Sequence, residues 1–446
     1  MFVVKFGGSS LADAAQFRKV KAIIESDDKR RYVIPSAPGK RFADDRKVTD
    51  MLYKFCWNVA KGMSAETEFE PIKARFDEII SELSLSVDLN DEYDKIKSEV
   101  TSGGNDPAAN DYAASRGEYL NGKILAAYLG FDFIDAADVI KFSKDGFFLS
   151  EKTEVLLSQT LEKHKKAVIP GFYGQIIESP VIKTFSRGGS DFTGSIVARA
   201  VKAEMYENWT DVSGFMMADP RIVKDPPVID VLTYRELREL SYMGATVLHE
   251  DAIFPVRKAH IPINIKNTND PAAPGTFIYR RTAADSKYTI TGISGKKNFR
   301  VINIEKGRMN DEIGYIYNVL SFFKERKINI EHIPSGVDTM SVIFDAKYLS
   351  NSDINENEFI NELKNKRYAN TRSVKIPEEK LALITIVGRG IKGKPGMIAR
   401  VCTALANFGI NIKSIEQGSS EISIIIAVNE NDCEKAIKAI YNSFVV

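Results

Sequence analysis

Residues 1–26, MFVVKFGGSSLADAAQFRKVKAIIES, decide the fold class of this chain. The apolar run FVVKF predicts a buried strand, and Gly7 and Gly8 end it before a segment whose apolar residues have helical spacing. Similar apolar runs alternate with helical segments through about residue 290, at RYVIPS (31–36), KKAVIPGF (165–172), EMYENWT (204–210) and IPINIKN (261–267). Strands separated by helices of this length indicate an α/β sheet with parallel strands.

Size and composition exclude several classes of protein. The chain has 446 residues, and because a single core rarely grows beyond about 250–300 residues we expect two or more domains. The 61 Lys and Arg residues balance 60 Asp and Glu, which argues against an extended nucleic-acid surface. Three scattered cysteines and four histidines give neither a disulfide framework nor a zinc pattern. Without a signal peptide or a membrane-spanning run, we expect a cytoplasmic protein.

The C-terminal part contains an internal duplication. Segments 299–345 and 381–428 each run through a strand, a Gly-containing loop, a helix, an Ile-Asn-Ile strand, a polar turn and another apolar strand. This plan predicts two copies of a βαββ-type module packed side by side. Gly388, Gly390 and Gly393 match a dinucleotide fingerprint, but too little chain follows them for two mononucleotide-binding halves. We therefore predict no dinucleotide site there. Residues 66–100 predict a charged helical insertion over the N-terminal sheet.

Three polar loops follow predicted strands of the N-terminal part. The first places Lys5 before Gly7 and Gly8, where backbone N–H groups and a helix N-terminus favour an anion. The second, TFSRGGSDFTGSIVARAVKA (184–203), carries Arg187, a planar fork for a carboxylate or phosphate, and Asp191, which is also compatible with a helix N-cap. The third, WTDVSGFMMADPRIV (209–223), has polar residues at a strand end and a turn at 219–221. Ligands of open α/β sheets bind at such strand ends.

Nucleotide motifs of other folds are absent from the sequence. SAPGKR lacks both the spacing and the hydroxyl residue of a GxxxxGK[ST] loop, and the protein-kinase signature set does not occur. An ATP site in this chain would therefore be of another type.

Eight motifs occur along the chain in the following order: KFGGSS (5–10), SAPGK (36–40), RGE (116–118), PGFYG (170–174), FSRGGSDFTG (185–194), WTDVSGF (209–215), ADPR (218–221) and GATVLH (244–249). Their order and spacing resemble the aspartokinases, a branch of the amino-acid-kinase family. The resemblance is loose only at the helical insertion, and the duplicated tail resembles the paired ACT domains of these enzymes. It implies a three-layer α/β amino-acid-kinase domain at 1–291. Two α+β, ferredoxin-like ACT domains would follow at 292–376 and 377–446, with strands that can be exchanged between them.

The resemblance also implies a reaction. An aspartokinase transfers the γ-phosphoryl group of ATP to the β-carboxylate of L-aspartate, giving 4-phospho-L-aspartate for lysine, threonine and methionine biosynthesis. The implied cofactor is Mg²⁺ held mainly by the phosphates, without protein metal ligands. The nucleophile is a carboxylate with a pKa near ~4, so it needs no general base. Two alternatives stay open: a kinase of this fold acting on another acidic metabolite, and an amino-acid-binding regulator with an inactive kinase half.

Site residues carry over from the matching motifs. The implied catalytic residues are Lys5, at the transferring phosphoryl group, and Asp191 beside it. The implied aspartate-binding residues are Ser36, Thr49, Glu118 at the α-amino group and Arg187 at the α-carboxylate. The implied ATP-binding residues are Lys5, Gly7, Gly8, Ser9, Thr210, Asp211, Met216, Arg221, Thr246 and Val247. Many relatives carry an aromatic residue at the position of Met216 and a lysine at that of Thr246.

The ACT resemblance implies a regulatory tail. It would bind a small amino acid between modules and would join chains into a homodimer or a dimer of dimers. The candidate allosteric residues are Met309, Asn329, Ile330, Glu331, Ser335 and Gly336. Because Glu331 suits a cationic end group, lysine is the expected inhibitor. The alternative is a tail that only dimerises the enzyme.

Overall fold

The computed structural model describes residues 1–186, 188–242, 244, 248, 251–282, 288–350 and 355–445, without the side chains of Asp251 and Ser350. These residues form two compact units. The N-terminal unit contains residues 1–215, 228–241 and 246–284, and the C-terminal unit contains residues 216–227, 242–245 and 285–446. The segment 216–227, which carries Met216 and Arg221, therefore groups with the C-terminal unit. No helix within the described ranges is both long and apolar enough to cross a membrane.

An eight-stranded sheet organises the N-terminal unit, in the order β3-β5-β2-β1-β8-β10-β11-β9. Its six strands from β3 to β10 are parallel, whereas β11 runs antiparallel to β10. A second sheet has the order β4-β6-β7. The strands are β1 Phe2–Phe6, β2 Arg30–Pro35, β3 Asp132–Phe133, β4 Lys141–Phe142, β5 Ala167–Val168, β6 Tyr173–Ile176, β7 Ile182–Thr184, β8 Met205–Thr210, β9 Val231–Thr233, β10 Ile263–Asn267 and β11 Thr276–Tyr279.

Helices flank this sheet, and their ends carry the expected signals. Asp13 caps α1 by accepting a hydrogen bond from the Gln16 N–H, and Asp106 caps α5 just before Pro107. The helices are α1 Ala14–Glu25, α2 Val48–Ala60, α3 Ala65–Glu82, α4 Asn90–Gly103, α5 Pro107–Leu129, α6 Ala136–Val139, α7 Ser150–Leu161, α8 Gly189–Ala200, α9 Tyr234–Tyr242 and α10 Phe254–Ala259, with 3-10 turns at Gly8–Leu11 and Asp251–Ile253.

The helical insertion consists of α3 and α4. Phe69 and Phe76 of α3 and Tyr93 of α4 are buried in one core with Phe55 of α2 and Trp209 of β8. Fully burying one large apolar side chain contributes about 1.5–3 kcal/mol, so these residues hold the insertion firmly on the sheet layer. The insertion is thus an integral part of the N-terminal unit.

The C-terminal unit is built on a seven-stranded sheet. Its order is β13-β14-β12-β16-β18-β17, and β15 also pairs with β12. The strands are β12 Gly292–Glu305, β13 Ile330–His332, β14 Thr339–Asp345, β15 Ser373–Lys375, β16 Leu381–Val387, β17 Ile412–Gln417 and β18 Ser423–Asn429. The helices are α11 Tyr315–Glu325, α12 Lys347–Ser350, α13 Glu356–Leu363, α14 Met397–Asn407 and α15 Cys433–Val445, with 3-10 turns at Met309–Asp311, Arg389–Ile391 and Glu430–Asp432.

The strand β12 takes part in both halves of this sheet. Its residues 299–305 pair with β14, whereas its residues 292–296 pair with β16. The first half has the order β15-β12-β14-β13, and the second has the order β12-β16-β18-β17. Both halves therefore share one four-stranded plan, and the second is completed by residues that precede the first in the chain.

The glycines of the GxGxxG run have a packing role in this unit. A Cβ atom at Gly388 would lie 2.7 Å from the Cα of Ile290, and one at Gly390 would lie 2.6 Å from the carbonyl oxygen of Thr289. Real Cβ atoms do not approach backbone so closely. The two glycines therefore allow the loop after β16 to lie directly on residues 289–291.

Candidate functional site

Two of the three predicted polar loops lie at one edge of the eight-stranded sheet, whereas the loop before Asp191 follows β7 of the smaller sheet. Because β1, β2, β8 and β10 are parallel, their carboxyl ends meet at the same edge. The loops that follow Phe6, Pro35, Thr210 and Asn267 therefore lie beside one another. This is the edge at which open α/β sheets bind their ligands.

Lys5 and Asp191 form an ion pair at this edge. Lys5 Nζ lies 2.6 Å from Asp191 Oδ1, and the side chains are only 10% and 17% exposed. Asn208, the neighbour of Lys5 on β8, donates a 2.8 Å hydrogen bond from Nδ2 to the same oxygen. The N-cap of α8 is Gly188, so Asp191 does not cap the helix. Its carboxylate instead holds the Lys5 ammonium beside the positive end of α8.

The glycine loop after β1 is in backbone contact with the loop after β2. The Gly39 N–H donates to the Gly8 carbonyl at 2.8 Å, and a Cβ at Gly39 would lie 2.5 Å from the Gly8 carbonyl carbon. Gly7 donates its N–H to the Trp209 carbonyl at 2.9 Å. The Ser10 hydroxyl lies 2.7 Å from that of Thr268, which ties this loop to the end of β10. The glycine loop, which contains Ser9, is thus in contact with the loop after β2, with β8 and with the residue after β10.

Glu118 is a buried carboxyl group on α5. Its side chain is removed from water, and this burial raises its pKa to about 8, while the Ala37 backbone N–H and the Lys5 charge act in the opposite direction. Among the described residues, none hydrogen-bonds Oε2 of Glu118. A buried carboxyl group with an unpaired oxygen beside Ala37 is a receptor for a cation or a hydrogen-bond donor.

Ser36 is hydrogen-bonded to α5, the helix of Glu118, and Thr49 lies on α2, which packs on α5 next to Gly117. Ser36 directly follows β2, and its N–H donates to the Phe6 carbonyl at 3.1 Å. Asn121, one turn after Glu118 on α5, donates to the Ser36 carbonyl at 2.7 Å. Thr49 is half-buried in the first turn of α2, which begins at Val48.

The predicted nucleotide-binding residues are distributed over both units. Thr210 ends β8, and its hydroxyl donates to Asp211 Oδ1 at 3.1 Å. In the C-terminal unit Met216 is half-buried, and Arg221 forms a 2.6 Å ion pair with Asp219 while its side chain is 87% exposed. Three further predicted residues lie outside the described residues: Arg187, Thr246 and Val247.

The candidate allosteric residues cluster around β13. Met309 is buried in the turn after β12, and Asn329 and Ile330 lead into β13. Glu331 Oε2 accepts a 2.6 Å hydrogen bond from the Tyr242 hydroxyl. Ser335 and Gly336 form the exposed turn between β13 and β14, where the Gly336 N–H donates to the Thr339 carbonyl.

Sequence reasoning missed Asn208, Asn121 and Gly39. Asn208 is a polar residue in the buried middle of a strand, which is a signal that could have been noticed. The contacts of Asn121 and Gly39 depend on how α5 and two loops meet in space, and no local pattern encodes that.

Among the residues that the structure describes, no group of three or more His, Cys, Asp and Glu side chains could hold a metal ion.

Comparison with known proteins is consistent with this geometry. Residues 1–267 match the model of the amino acid kinase family, and residues 384–444 match an ACT domain model. The chain is 36% identical over 458 residues to aspartokinase 3 of Bacillus subtilis, covering 100% of this chain and 98% of the relative.

Solved structures of similar proteins cover almost the whole chain. The aspartate kinase of Clostridium acetobutylicum is 49% identical, with a TM-score of 0.87 over 99% of both chains. Aspartokinase III of Escherichia coli is 22% identical and shares the fold. Its complex with aspartate and ADP gives a TM-score of 0.77 over 99% of both chains, and its complex with lysine and aspartate gives 0.74 over 100% of both.

Proposed function

Because this chain belongs to the aspartokinases of the amino acid kinase family, we propose that it transfers the γ-phosphoryl group of ATP to the β-carboxylate of L-aspartate. The product would be 4-phospho-L-aspartate, at the start of lysine, threonine and methionine biosynthesis. The observation that carries the proposal is the Lys5–Asp191 ion pair of 2.6 Å beside the Gly7–Gly8 loop.

The residues suit a reaction between two anions. The β-carboxylate of aspartate has a pKa near ~4 and is already ionised at neutral pH, so the enzyme must neutralise and align the reactants. Lys5 provides a fixed positive charge where negative charge develops on the phosphoryl group. Asp191 and Asn208 hold that ammonium in place before substrate binds, and neither has to accept a proton.

The aspartate site is proposed around Glu118. Its carboxyl group would receive the α-amino group of aspartate, since its Oε2 has no partner among the described residues. Ser36 and Thr49 would contact the substrate from the loop after β2 and from α2. Arg187 would bind the α-carboxylate through its planar fork. The complex of the Escherichia coli relative with aspartate and ADP supports this pair of ligands.

The nucleotide is proposed to bind along the same edge. Gly7, Gly8 and Ser9 would offer backbone N–H groups to the phosphates. The adenosine part would be bound by Thr210, Asp211, Met216, Arg221, Thr246 and Val247. The oxygen atoms of Asp191 and Asn208 are of the type that Mg²⁺ prefers, and we propose that the ion is held mainly by the phosphates. Mg²⁺ would supply positive charge to the β- and γ-phosphate oxygens.

We propose that the C-terminal unit regulates the enzyme by binding lysine. Glu331 offers a carboxylate to a cationic side chain, and the relative from Escherichia coli forms a complex with lysine and aspartate. We also propose a kinase domain at 1–291 and ACT domains at 292–376 and 377–446 that exchange a strand. Assembly would be a dimer or a dimer of dimers, which light scattering would distinguish.

A coupled assay of ADP release tests the proposed reaction. We expect release that requires both ATP and L-aspartate, trapping of the product by hydroxylamine, and inhibition by millimolar lysine. Release with glutamate or acetylglutamate but not with aspartate would assign the site to another acidic metabolite. No ATP binding in isothermal titration would indicate an inactive kinase half.

A further inference from the structure

The helical insertion contains a buried arginine that reaches towards the glycine loop. Arg75 of α3 is only 4% exposed. Its Nη1 donates to the Gly39 carbonyl at 3.1 Å and lies 3.5 Å from the Ala12 carbonyl. Its Nη2 binds both carboxylate oxygens of Asp45, at 2.8 and 2.7 Å. One guanidinium therefore joins α3 to the loop after β1 and to the loop after β2.

The residue whose carbonyl Arg75 binds also contacts the glycine loop. The Gly39 N–H donates to the Gly8 carbonyl, while the Gly39 carbonyl accepts from Arg75. A Cβ at Gly8 would lie 2.8 Å from the Ala37 carbonyl oxygen, so no side chain separates the two loops. The 36–39 segment is thus enclosed between the glycine loop on one side and the Arg75 guanidinium on the other.

A second ion pair fixes the far end of this loop. Asp45 also accepts hydrogen bonds from the backbone N–H and the Nε of Arg41, at 2.9 and 3.0 Å. Arg41 in turn binds Glu78, one turn after Arg75 on α3, at 2.8 Å. Arg75 and Glu78 of α3 thereby bind Asp45 and Arg41 of the loop after β2. The Arg75–Asp45 pair, with side chains only 4% and 9% exposed, fixes geometry more strictly than exposed ion pairs do.

We propose that Arg75 is a positioning residue for phosphoryl transfer, which assigns a role to the helical insertion. Through Gly39 it holds the Gly7–Gly8 backbone at the distance from Lys5 that the phosphate chain requires. This inference rests on the proposed function. Arg75 itself is enclosed behind the loop and touches no substrate, so its effect on turnover passes through Gly39.

A single substitution would confuse positioning with stability. Removing Arg75 alone leaves the buried Asp45 carboxylate with Arg41 but without the Arg75 guanidinium, which is destabilising. The test is therefore the double variant Arg75→Met with Asp45→Leu, in which both charges are replaced by apolar side chains. Replacing both members of a buried ion pair in this way often preserves stability, and Arg41, which also loses Asp45, keeps its ion pair with Glu78.

We expect the double variant to unfold within a few degrees of the parent while kcat falls at least tenfold. Because the glycine loop acts on the phosphate chain, kcat and kcat/KM for ATP should fall together. A control is Lys73→Met with Asp77→Asn, which removes an ion pair of 2.5 Å in the same helix but keeps an oxygen acceptor for the Tyr93 hydroxyl, and which should leave kcat within twofold. A double variant with parent-like kcat would overturn the proposal.

Arg75→Lys provides an independent measurement if the double variant fails to fold. Lysine keeps the charge, but its single ammonium lacks the planar fork that spans Asp45 and Gly39. We expect an unchanged circular dichroism spectrum and a kcat lowered at least fivefold, whereas parent-like turnover would refute positioning. If the parent itself lacks aspartate-dependent ADP release, the proposed function fails first, so the two failures are distinguishable.

Discussion

At the scale of single residues, the candidate site is arranged before any ligand binds. Lys5 and Asn208 are register partners on adjacent parallel strands, and both reach one oxygen of Asp191. The positive charge is therefore fixed by the sheet and by α8. A fixed charge stabilises a transition state without the cost of reorganising at the moment of reaction.

Replacing Lys5 by alanine tests this arrangement. Loss of one preorganised charge commonly costs about 3–4 kcal/mol of transition-state stabilisation, so we expect kcat to fall at least a hundredfold. Because the Asp191 carboxylate keeps its hydrogen bond from Asn208, we expect the variant to fold, with a lower unfolding midpoint. Steady-state kinetics and circular dichroism measure the two effects. Lys144→Ala is the control, because this 72% exposed lysine forms its ion pair with Glu178, which is itself exposed. Near-normal turnover in Lys5→Ala would remove the ammonium from the mechanism.

Glu118 predicts a pH-dependent affinity for aspartate. The folded-state pKa is raised from 4.5 to about 8, so the free enzyme holds this proton at neutral pH. An ammonium group favours the carboxylate, and binding then releases the proton. The KM for aspartate should therefore fall, by at most about tenfold per pH unit, from pH 6 to 8 and level off above it. The same raised pKa makes the folded state less stable as pH rises through this range.

The variant Glu118→Gln separates the two charge states of this group. We expect a higher KM for aspartate that no longer changes with pH between 6 and 8, measured in the ADP-release assay. A parent-like pH profile in the variant would show that another group titrates.

At the scale of elements, glycines decide where loops can meet. Gly8 and Gly39 bring two loops into backbone contact at the candidate site, and Gly388 and Gly390 do the same in the C-terminal unit. In both places a side chain would occupy space that the partner backbone already fills. Packing thus explains two glycines of the dinucleotide-like run, Gly388 and Gly390, whereas Gly393 has a left-handed φ of +66°.

Gly390→Ala tests this explanation. The added methyl group would lie 2.6 Å from the Thr289 carbonyl oxygen, and overpacking of this kind costs about 1–3 kcal/mol. We expect a lower unfolding midpoint for the C-terminal unit and an unchanged KM for ATP. Gly418→Ala is the control, since nothing lies within 4 Å of a Cβ at that position. A raised KM for ATP with unchanged stability would indicate a nucleotide site instead.

The sequence predicted the helices and strands better than it predicted which of them are in contact. The spacing of Phe17, Val20 and Ile23 predicted α1, and the charged segment 66–100 corresponds to α3 and α4. Lys5 and Asp191 were both selected, and they are adjacent, but their catalytic roles stay predictions. Arg75 and Gly39 are 36 positions apart in the sequence. The periodicity of apolar residues predicts helices and strands but not a contact between a helix and a distant loop.

At the scale of the whole molecule, regulation is proposed to begin at β13. Glu331 already accepts a hydrogen bond from Tyr242, a residue that precedes the predicted nucleotide-binding positions Thr246 and Val247 in the chain. A cationic ligand at Glu331 would compete for the same carboxylate. Ligand binding would then break the hydrogen bond between Tyr242 and Glu331 and change the contacts of Tyr242.

The variant Glu331→Gln tests the sensor. Because its neutral amide loses the charge attraction for an ammonium group, we expect the lysine concentration for half inhibition to rise at least tenfold. The kcat without lysine should stay within twofold, as measured by titrating lysine into the ADP-release assay. Glu362→Gln, which alters an ion pair with Arg326, serves as the control. Unchanged inhibition would place the ligand elsewhere.

The strand shared by both halves of the C-terminal sheet limits how this protein can be recombined. Residues 292–296 complete the half formed by β16, β18 and β17, although about 85 residues of the first half intervene in the chain. A fragment that starts after β15 would leave β16 with an unpaired edge, an open template for aggregation. Engineers who wish to transplant this tail onto another enzyme should therefore keep residues 285–446, the continuous part of the C-terminal unit, undivided.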